Sequence, residues 1–274
     1  MKEQLRVGPR FVLADIDPGS TPGFPGERDA GKTALAGGLD EFADLQERLY
    51  AASRFGETRR VLLVLQAMDT AGKGGIVKHV VGAVDPQGAQ IAAFKAPTDE
   101  EKKHDFLWRV RPRVPAPGMI GVFDRSHYEA VLIHRVRALS TPEAVEERYG
   151  QIIDFENELA ASGITVVKVM LHISRDEQKK RLAERLDNPE KHWKYNPGDI
   201  DERGLWDDYM AAYQIAIERT STETAPWYVV PADAKWYARL AVQTLLLDAL
   251  RDLRLGWPPA DFDVEVEKRR LAAT

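Results

Sequence analysis

The stretch Val61-Leu62-Leu63-Val64-Leu65-Gln66-Ala67-Met68-Asp69-Thr70-Ala71-Gly72-Lys73-Gly74-Gly75 admits few folds. It opens as a run of Val and Leu that is apolar on both faces, the pattern of a strand buried inside a parallel sheet. A loop of small residues bearing Gly72-Lys73 follows, and Ile76-Val77-Lys78-His79-Val80-Val81 then opens a helix. Strand, glycine loop with a lysine, and helix together make an anion cradle. Successive backbone N–H groups and the helix N-terminus face a phosphate, and the lysine reaches its outer oxygens.

Measured against the phosphate-binding pattern G-x-x-x-x-G-K-[ST], the loop departs twice. Ala67 stands at the first glycine, and Gly74 stands where a magnesium-binding hydroxyl belongs. The loop also carries a carboxylate, Asp69, which repels phosphate unless a cation neutralises it; Asp69 is therefore a candidate magnesium partner. The plainer alternative is a tight strand-to-helix turn with a surface aspartate. A second segment, Gly26-Glu27-Arg28-Asp29-Ala30-Gly31-Lys32-Thr33, matches the pattern letter for letter. The Pro- and Gly-rich residues before it exclude a central strand, so we reject it as a coincidence of letters.

Composition excludes several classes. The chain of 274 residues has no cysteine, which rules out disulfides, thiolate nucleophiles and Cys-ligated zinc. No apolar run approaches membrane-spanning length, and Met1-Lys2-Glu3-Gln4-Leu5 is no signal peptide, so the expected location is cytoplasmic, without membrane contact. A net charge of −5 argues against a nucleic-acid partner, yet leaves room for a small anion held by a local basic cluster.

Along the chain, residues 1–33 are rich in Pro, Gly and Asp and are expected to form an extended arm. Helical spacing of Leu35, Leu39, Phe42, Leu45 and Leu49 predicts a helix before the first strand. Further strands are expected over 89–96, 119–123, 164–173 and 227–230. Helices are expected from the Thr98-Asp99-Glu100-Glu101 capping box, and over 141–159, 176–186, 205–219 and 233–253. Alternating strands and helices specify an α/β fold, a three-layer α/β/α sandwich on a five-stranded parallel sheet. Residues 34–256 form its domain, with a lid at about 178–208, and residues 257–274 are read as a poorly ordered tail.

In such sheets ligands bind beyond the carboxyl ends of the strands, where both Asp69 and Asp124 fall. Asp124 closes the strand Ile120-Gly121-Val122-Phe123 and supplies the second acidic group needed to hold magnesium. Arg125 next to it is placed to neutralise a phosphoryl group in flight; a salt-bridged strand end is the structural alternative. Arg181 and Arg185 lie one helical turn apart, and Lys191, Lys194 and Arg203 continue the basic run, as in a lid that closes on polyanions or in a solvated helix face. Trp193, Trp206, Tyr209 and Tyr213 read as packing residues. No general base stands out, which suits phosphoryl transfer, where alignment and charge neutralisation dominate.

Several motifs together resemble the polyphosphate kinase 2 family. They are Leu65-Gln66-Ala67-Met68-Asp69-Thr70-Ala71-Gly72-Lys73-Gly74-Gly75, Phe123-Asp124-Arg125-Ser126-His127-Tyr128-Glu129, Asn188-Pro189-Glu190-Lys191-His192-Trp193-Lys194-Tyr195 and Trp206-Asp207-Asp208-Tyr209. The resemblance spans roughly residues 10–255. It implies a P-loop kinase fold with a helical lid. It also implies Mg2+-dependent reversible phosphoryl transfer between inorganic polyphosphate and adenine or guanine nucleotides, Mn2+ being an alternative ion. By position it gives catalytic roles to Asp69, Lys73, Asp124, Arg125 and Arg185, with Asp69 and Asp124 as metal ligands. Phosphate or nucleotide contacts fall to Ala71, Gly72, Gly74, Gly75, Glu129, Arg181 and Lys194, and basic residues between Lys102 and Arg113 are read as lining the path of the long anion. Glu rather than Asn at position 129 resembles the class that accepts both AMP and ADP. A homo-oligomer is expected. The competing readings are an ATP-dependent nucleotide kinase of thymidylate-kinase type and a nucleotide- or polyphosphate-binding regulator without turnover.

Overall fold

A computed structural model describes residues 1–274. Its centre is β1 (Arg60–Ala67), buried along all but its first residue, as the two-sided apolar run requires. In chain order the elements before it are α1 (Lys2–Leu5), α2 (Arg28–Gly37) and α3 (Leu39–Ser53). After it come α4 (Lys73–His79), β2 (Ala89–Ala93), β3 (Ile120–Asp124), α5 (Ile133–Val136), α6 (Pro142–Ala161) and β4 (Ile164–His172). Then follow α7 (Arg175–Asp187), α8 (Gly198–Gly204), α9 (Trp206–Thr220), β5 (Trp227–Pro231), α10 (Lys235–Asp252) and α11 (Val264–Ala272).

The sheet is wholly parallel, in the order β2-β3-β1-β4-β5. Helices α2, α3 and α4 pack with α10 on one face, while α6 and α9 pack together on the other. Register places Leu65 beside Asp124 and Ala67 beside Leu171. The chain therefore leaves the neighbouring tips of β1 and β3 toward opposite faces, and a crevice opens between the two exits. No helix is long and apolar enough to cross a membrane.

Three expectations need correction. Residues 28–33 are not part of an extended arm; they begin α2, which covers most of the letter-perfect phosphate pattern. Gly31 is there for packing, since a Cβ at that position would stand 2.1 Å from the Trp236 ring. The remaining arm is tied down: Val7 N–H donates to Trp227 O at 2.9 Å, Leu13 N–H to Gln214 Oε1 at 2.6 Å, and Tyr237 O–H to Pro22 O at 2.6 Å.

The helix expected from Thr98 stops after one 3₁₀ turn, Glu101–Lys103. Its capping box forms, with Thr98 N–H on Glu101 Oε2 at 2.8 Å and Glu101 N–H on Thr98 Oγ1 at 3.2 Å. The next residues, Lys102-Lys103-His104-Asp105, have no apolar face to bury, and a cap without packing does not propagate a helix. The C-terminal tail holds α11, capped by Asp263 Oδ1 and laced by Glu265–Lys268 and Glu267–Arg270 pairs, with no buried residue.

Candidate active site

The loop after β1 is polarised. Its carbonyls are turned away and held: Asp69 O accepts from Gln178 Nε2 at 3.1 Å, while Thr70 O and Ala71 O each accept from Arg181 Nη1 at 3.0 Å. The N–H groups of Asp69, Thr70, Gly72, Lys73 and Gly74 donate to no protein acceptor. Backbone dihedrals explain the sorting. Thr70 adopts φ 64° and Gly72 φ 124°, the second a conformation that glycine alone reaches without strain. Beyond the chain neighbours and the helix's own backbone, no protein atom lies within 4 Å of where a Cβ at Gly72 or Gly74 would stand, so the loop borders open space there. A concave row of free N–H groups is an anion nest. Lys73 folds back over it, its Nζ donating to Ala67 O at 3.1 Å.

The β3 tip supplies the facing wall. Arg125 N–H donates to Leu65 O at 3.0 Å, which locks the two strand ends together. Arg125 takes φ 62°, a left-handed turn that sends its guanidinium across to Asp69 Oδ1 at 3.0 Å. The ion pair thus joins Arg125 to the loop aspartate, whereas the half-buried Asp124 carboxylate is paired with no cation. Burial lowers the Arg125 pKa, but the Glu129 and Asp69 carboxylates outweigh it and hold the guanidinium above its ordinary value. Ser126 caps its own turn, accepting from Tyr128 N–H at 3.1 Å. That turn presents Glu129, whose Oε1 accepts from Gln66 Nε2 at 3.2 Å. Burial pushes the Glu129 carboxyl up, against the pull of Arg125 and Lys73. Asp199, on α8, is raised by burial and by Asp69 and drawn down by Arg185, Arg125 and Lys73. Asp69, Lys73, Arg125, Glu129, Arg185 and Asp199 therefore share one electrostatic field.

On the α7 side of the loop lies a cavity of about 340 Å³ lined by Thr70, Ala71, Gly72 and Gly75. Six cations face it, Arg181, Arg185, Lys191, Lys194, Lys235 and Arg239, against one carboxylate, Glu184. On the other side, a cleft of about 190 Å³ is lined by Asp69, Arg125, Glu129, Asp199, Tyr209 and Tyr213 among others. Beyond Glu129, Lys102 and Arg109 line a third cavity, whereas Arg111 pairs with Glu158 at 2.7 Å on the surface.

Most of the predicted residues converge here: the Asp69–Gly75 loop, Arg125, Glu129, Arg185 and Lys194. Asp124 stands at the adjoining strand tip. Arg181 does not behave as a phosphate ligand. It is 4% exposed, and all five of its N–H groups are engaged, by Glu177 Oε1 and the carbonyls of Thr70, Ala71, Ala232 and Asp233. Trp206, Tyr209 and Tyr213 are buried as packing residues, but Trp193 is 79% exposed, with Lys194 Nζ 4.8 Å from its ring centroid. Sequence reasoning missed Gln178, Asp199, Lys235 and Arg239. Gln178 had a signal, lying three residues before Arg181 on the same helical face. Arg239 and Lys235 had none, because α10 reaches the loop only through the fold.

The donor set suits Mg2+, which takes oxygen ligands and usually one or two carboxylates plus substrate phosphates. Asp69 and Asp124 provide that number, and no group of three or more His, Cys, Asp or Glu side chains forms a self-sufficient metal cage.

A parallel sheet with a lysine-bearing anion nest at its central strand, an arginine and two aspartates at the neighbouring tips, and a cationic cavity under a helical cover define a P-loop kinase-type phosphotransferase. The family model described as Polyphosphate kinase 2 (PPK2) matches residues 26–255. Among curated relatives, an AMP/ADP-polyphosphate phosphotransferase of Meiothermus ruber is 46% identical over 258 residues, 93% of this chain and 95% of that protein. An ADP-polyphosphate phosphotransferase of Rhodopseudomonas palustris is 44% identical over 232 residues, covering 80% of this chain and 79% of that one. The crystal structure of Polyphosphate Kinase 2 from Arthrobacter aurescens TC1 superposes with a TM-score of 0.98 at 62% identity, covering 100% of this chain and 96% of that chain. The chain belongs to the polyphosphate kinase 2 family.

Proposed function

We propose that this enzyme transfers a phosphoryl group reversibly between inorganic polyphosphate and AMP or ADP, with guanine nucleotides as further acceptors. The observation that carries the reading is the placing of the nest between two unlike cavities. The six-cation cavity on the α7 side suits a repeating polyanion, whose charge density needs many counter-charges. The cleft on the other side, rich in carboxylates and aromatic rings, suits a compact acceptor and a divalent ion.

In the mechanism this supports, the loop N–H groups and Lys73 grip the phosphate at the reaction centre. Arg125 and Arg185 offset charge on the phosphoryl group and on the chain behind it. Asp69 and Asp124 would hold Mg2+, which when bound supplies counter-charge to the phosphate oxygens. Asp69 holds Arg125 in place through their ion pair. A nucleotide phosphate is already ionised near neutral pH, so the acceptor needs no base. Residues 178–208 act as the lid, hinged beyond Arg181 and carrying Arg185, Lys194 and Asp199 toward the loop as it closes. Glu129 at the cleft resembles the class that accepts AMP as well as ADP, and the 46% identical M. ruber relative is an AMP/ADP-polyphosphate phosphotransferase. The protein works as a cytoplasmic homo-oligomer without nucleic acid.

The test is an assay with AMP or ADP, Mg2+ and polyphosphate in the absence of ATP, with product nucleotides resolved by chromatography. ADP and ATP should appear from AMP, and ATP from ADP. No product without ATP would instead indicate an ATP-dependent nucleotide kinase, and none with either donor a binding protein. Light scattering tests the oligomer.

A further inference from the structure

Arg181 lies where a phosphate ligand was expected, yet it has no donor left for one. A guanidinium has five N–H groups in a fixed planar fork. Here Nε donates to Glu177 Oε1 at 2.8 Å. Nη1 donates to Thr70 O and Ala71 O, both at 3.0 Å, and Nη2 to Ala232 O at 2.7 Å and Asp233 O at 2.8 Å. One side chain from α7 therefore ties the phosphate loop after β1 to the segment after β5. Three residues earlier, Gln178 Nε2 takes the Asp69 carbonyl at 3.1 Å, and Gln178 Oε1 is itself held by Arg203 Nη1 at 2.9 Å, from α8.

Three consecutive loop carbonyls, those of Asp69, Thr70 and Ala71, are thus held by α7 while the N–H groups of Asp69, Thr70, Gly72, Lys73 and Gly74 stay free. The two facts are connected. A peptide plane whose C=O is fixed on one side presents its N–H on the other, so holding the Asp69 and Ala71 carbonyls outward aims the Thr70 and Gly72 donors inward, while the Ala71 N–H between them turns to Met68 O at 3.3 Å. The loop has alanine at its first pattern glycine and threonine at φ 64°, so its own sequence does not relax into this shape without help. Because the same helix carries Arg185 to the cationic cavity, the latch also joins the lid to the loop.

We infer that Arg181 and Gln178 are positioning residues: a latch from the lid helix that holds the loop carbonyls outward, so that the nest is formed before phosphate arrives. The inference rests on the reading of residues 69–75 as the phosphate site, and the experiment separates the two. In the full-length enzyme, Arg181→Ala, Arg181→Lys, Gln178→Ala and Lys73→Met are compared by kcat, KM for polyphosphate, and melting temperature. Arg181→Ala should lose about 100-fold in kcat/KM, the usual cost of misplacing a reacting group by an ångström. Millimolar guanidinium, against sodium chloride of equal ionic strength, should restore part of it, because the vacated slot opens on the cationic cavity. Arg181→Lys should not restore activity, since three donors on a point charge cannot span four carbonyls.

Gln178→Ala removes two hydrogen bonds, one to the Asp69 carbonyl and one from the Arg203 guanidinium, and should lower melting by a few degrees while raising KM about tenfold. It keeps the inference testable if Arg181→Ala does not fold. Wild-type KM in Gln178→Ala, or an Arg181→Ala enzyme that melts lower yet turns over within threefold of wild type without guanidinium rescue, overturns the latch. An active Lys73→Met overturns the phosphate-site reading instead.

Discussion

Replacing Lys168 by Met probes what fixes the turn that presents Glu129. Lys168, on β4, is fully buried, and its Nζ donates to Glu156 Oε2 at 2.6 Å, Thr220 O at 2.7 Å and Tyr128 O–H at 3.0 Å. Glu156, 1% exposed, also accepts from Tyr128 O–H at 2.8 Å and faces His127 Nε2 at 3.3 Å. Burial alone would push the Glu156 carboxyl up, but Lys168 and His127 hold it below its ordinary range. Methionine strands that carboxylate without its main counter-charge and orphans the Thr220 carbonyl. Breaking a buried pair from one side costs about 3–5 kcal/mol. The two contacts that remain on Glu156 place this case near the lower end, about 3 kcal/mol. For a chain of this size that lowers Tm by about 6–12 °C.

The assay is urea unfolding of Lys168→Met, Glu156→Gln and the double variant. Removing both charges should leave the double variant more stable than the sum of the single losses by at least about 1.5 kcal/mol. The loss should also shrink as pH falls. Without Lys168, burial, the largest influence on Glu156, loses its main opponent and raises the folded pKa of that carboxyl above the unfolded one. Stability from such a group is present below the unfolded pKa and lost as pH rises through the folded one. A loss below about 1 kcal/mol, or strictly additive losses, refutes the reasoning.

Burial raises the Glu129 pKa above 4.5, so its ionisation costs stability as pH rises past that value. Glu129→Gln should melt higher than wild type at neutral pH, lose that advantage below the ordinary carboxyl range, and turn over more slowly; melting curves across pH check the sign. Asp124→Asn should keep its circular dichroism and lose at least about 100-fold in transfer rate; unchanged turnover would rule out its assigned role. Lys32→Ala should leave turnover intact, because Lys32 pairs only with the exposed Asp29, whereas Gly31→Ala should cost about 1–3 kcal/mol of stability through the Trp236 clash. KM for polyphosphate should climb with ionic strength, since the cationic cavity is partly open to screening; a salt-independent KM would contradict a charge-paired polyanion.

The sheet and its strand tips were legible because the evidence for them is local. A short two-sided apolar run such as Val61–Leu65, ending in a glycine loop, marks a strand inside a parallel sheet, and Asp69, Lys73, Asp124 and Arg125 follow their strands directly. Context also separated the true loop from the letter-perfect copy at Gly26–Thr33, since an anion nest needs a strand to project it. Local signals failed where propagation depends on packing. The Thr98 cap formed but launched no helix, and α11 formed on a cap and ion pairs without any core contact.

By itself, the sequence determined which backbone could bend into a nest and which charges would stand at the strand ends, because both are set by residues adjacent in the chain. Tertiary structure alone decided how the distant cations divide their work. Arg181 and Arg185 read alike as a basic pair on one helix, yet one turns four of its five donors to backbone carbonyls and the fifth to Glu177, and the other faces the cavity with Lys235 and Arg239. A guanidinium's role depends on what lies within 3 Å of its nitrogens, and for Arg181 those atoms come from β1's loop and β5's end, chain segments that only the folded sheet brings side by side.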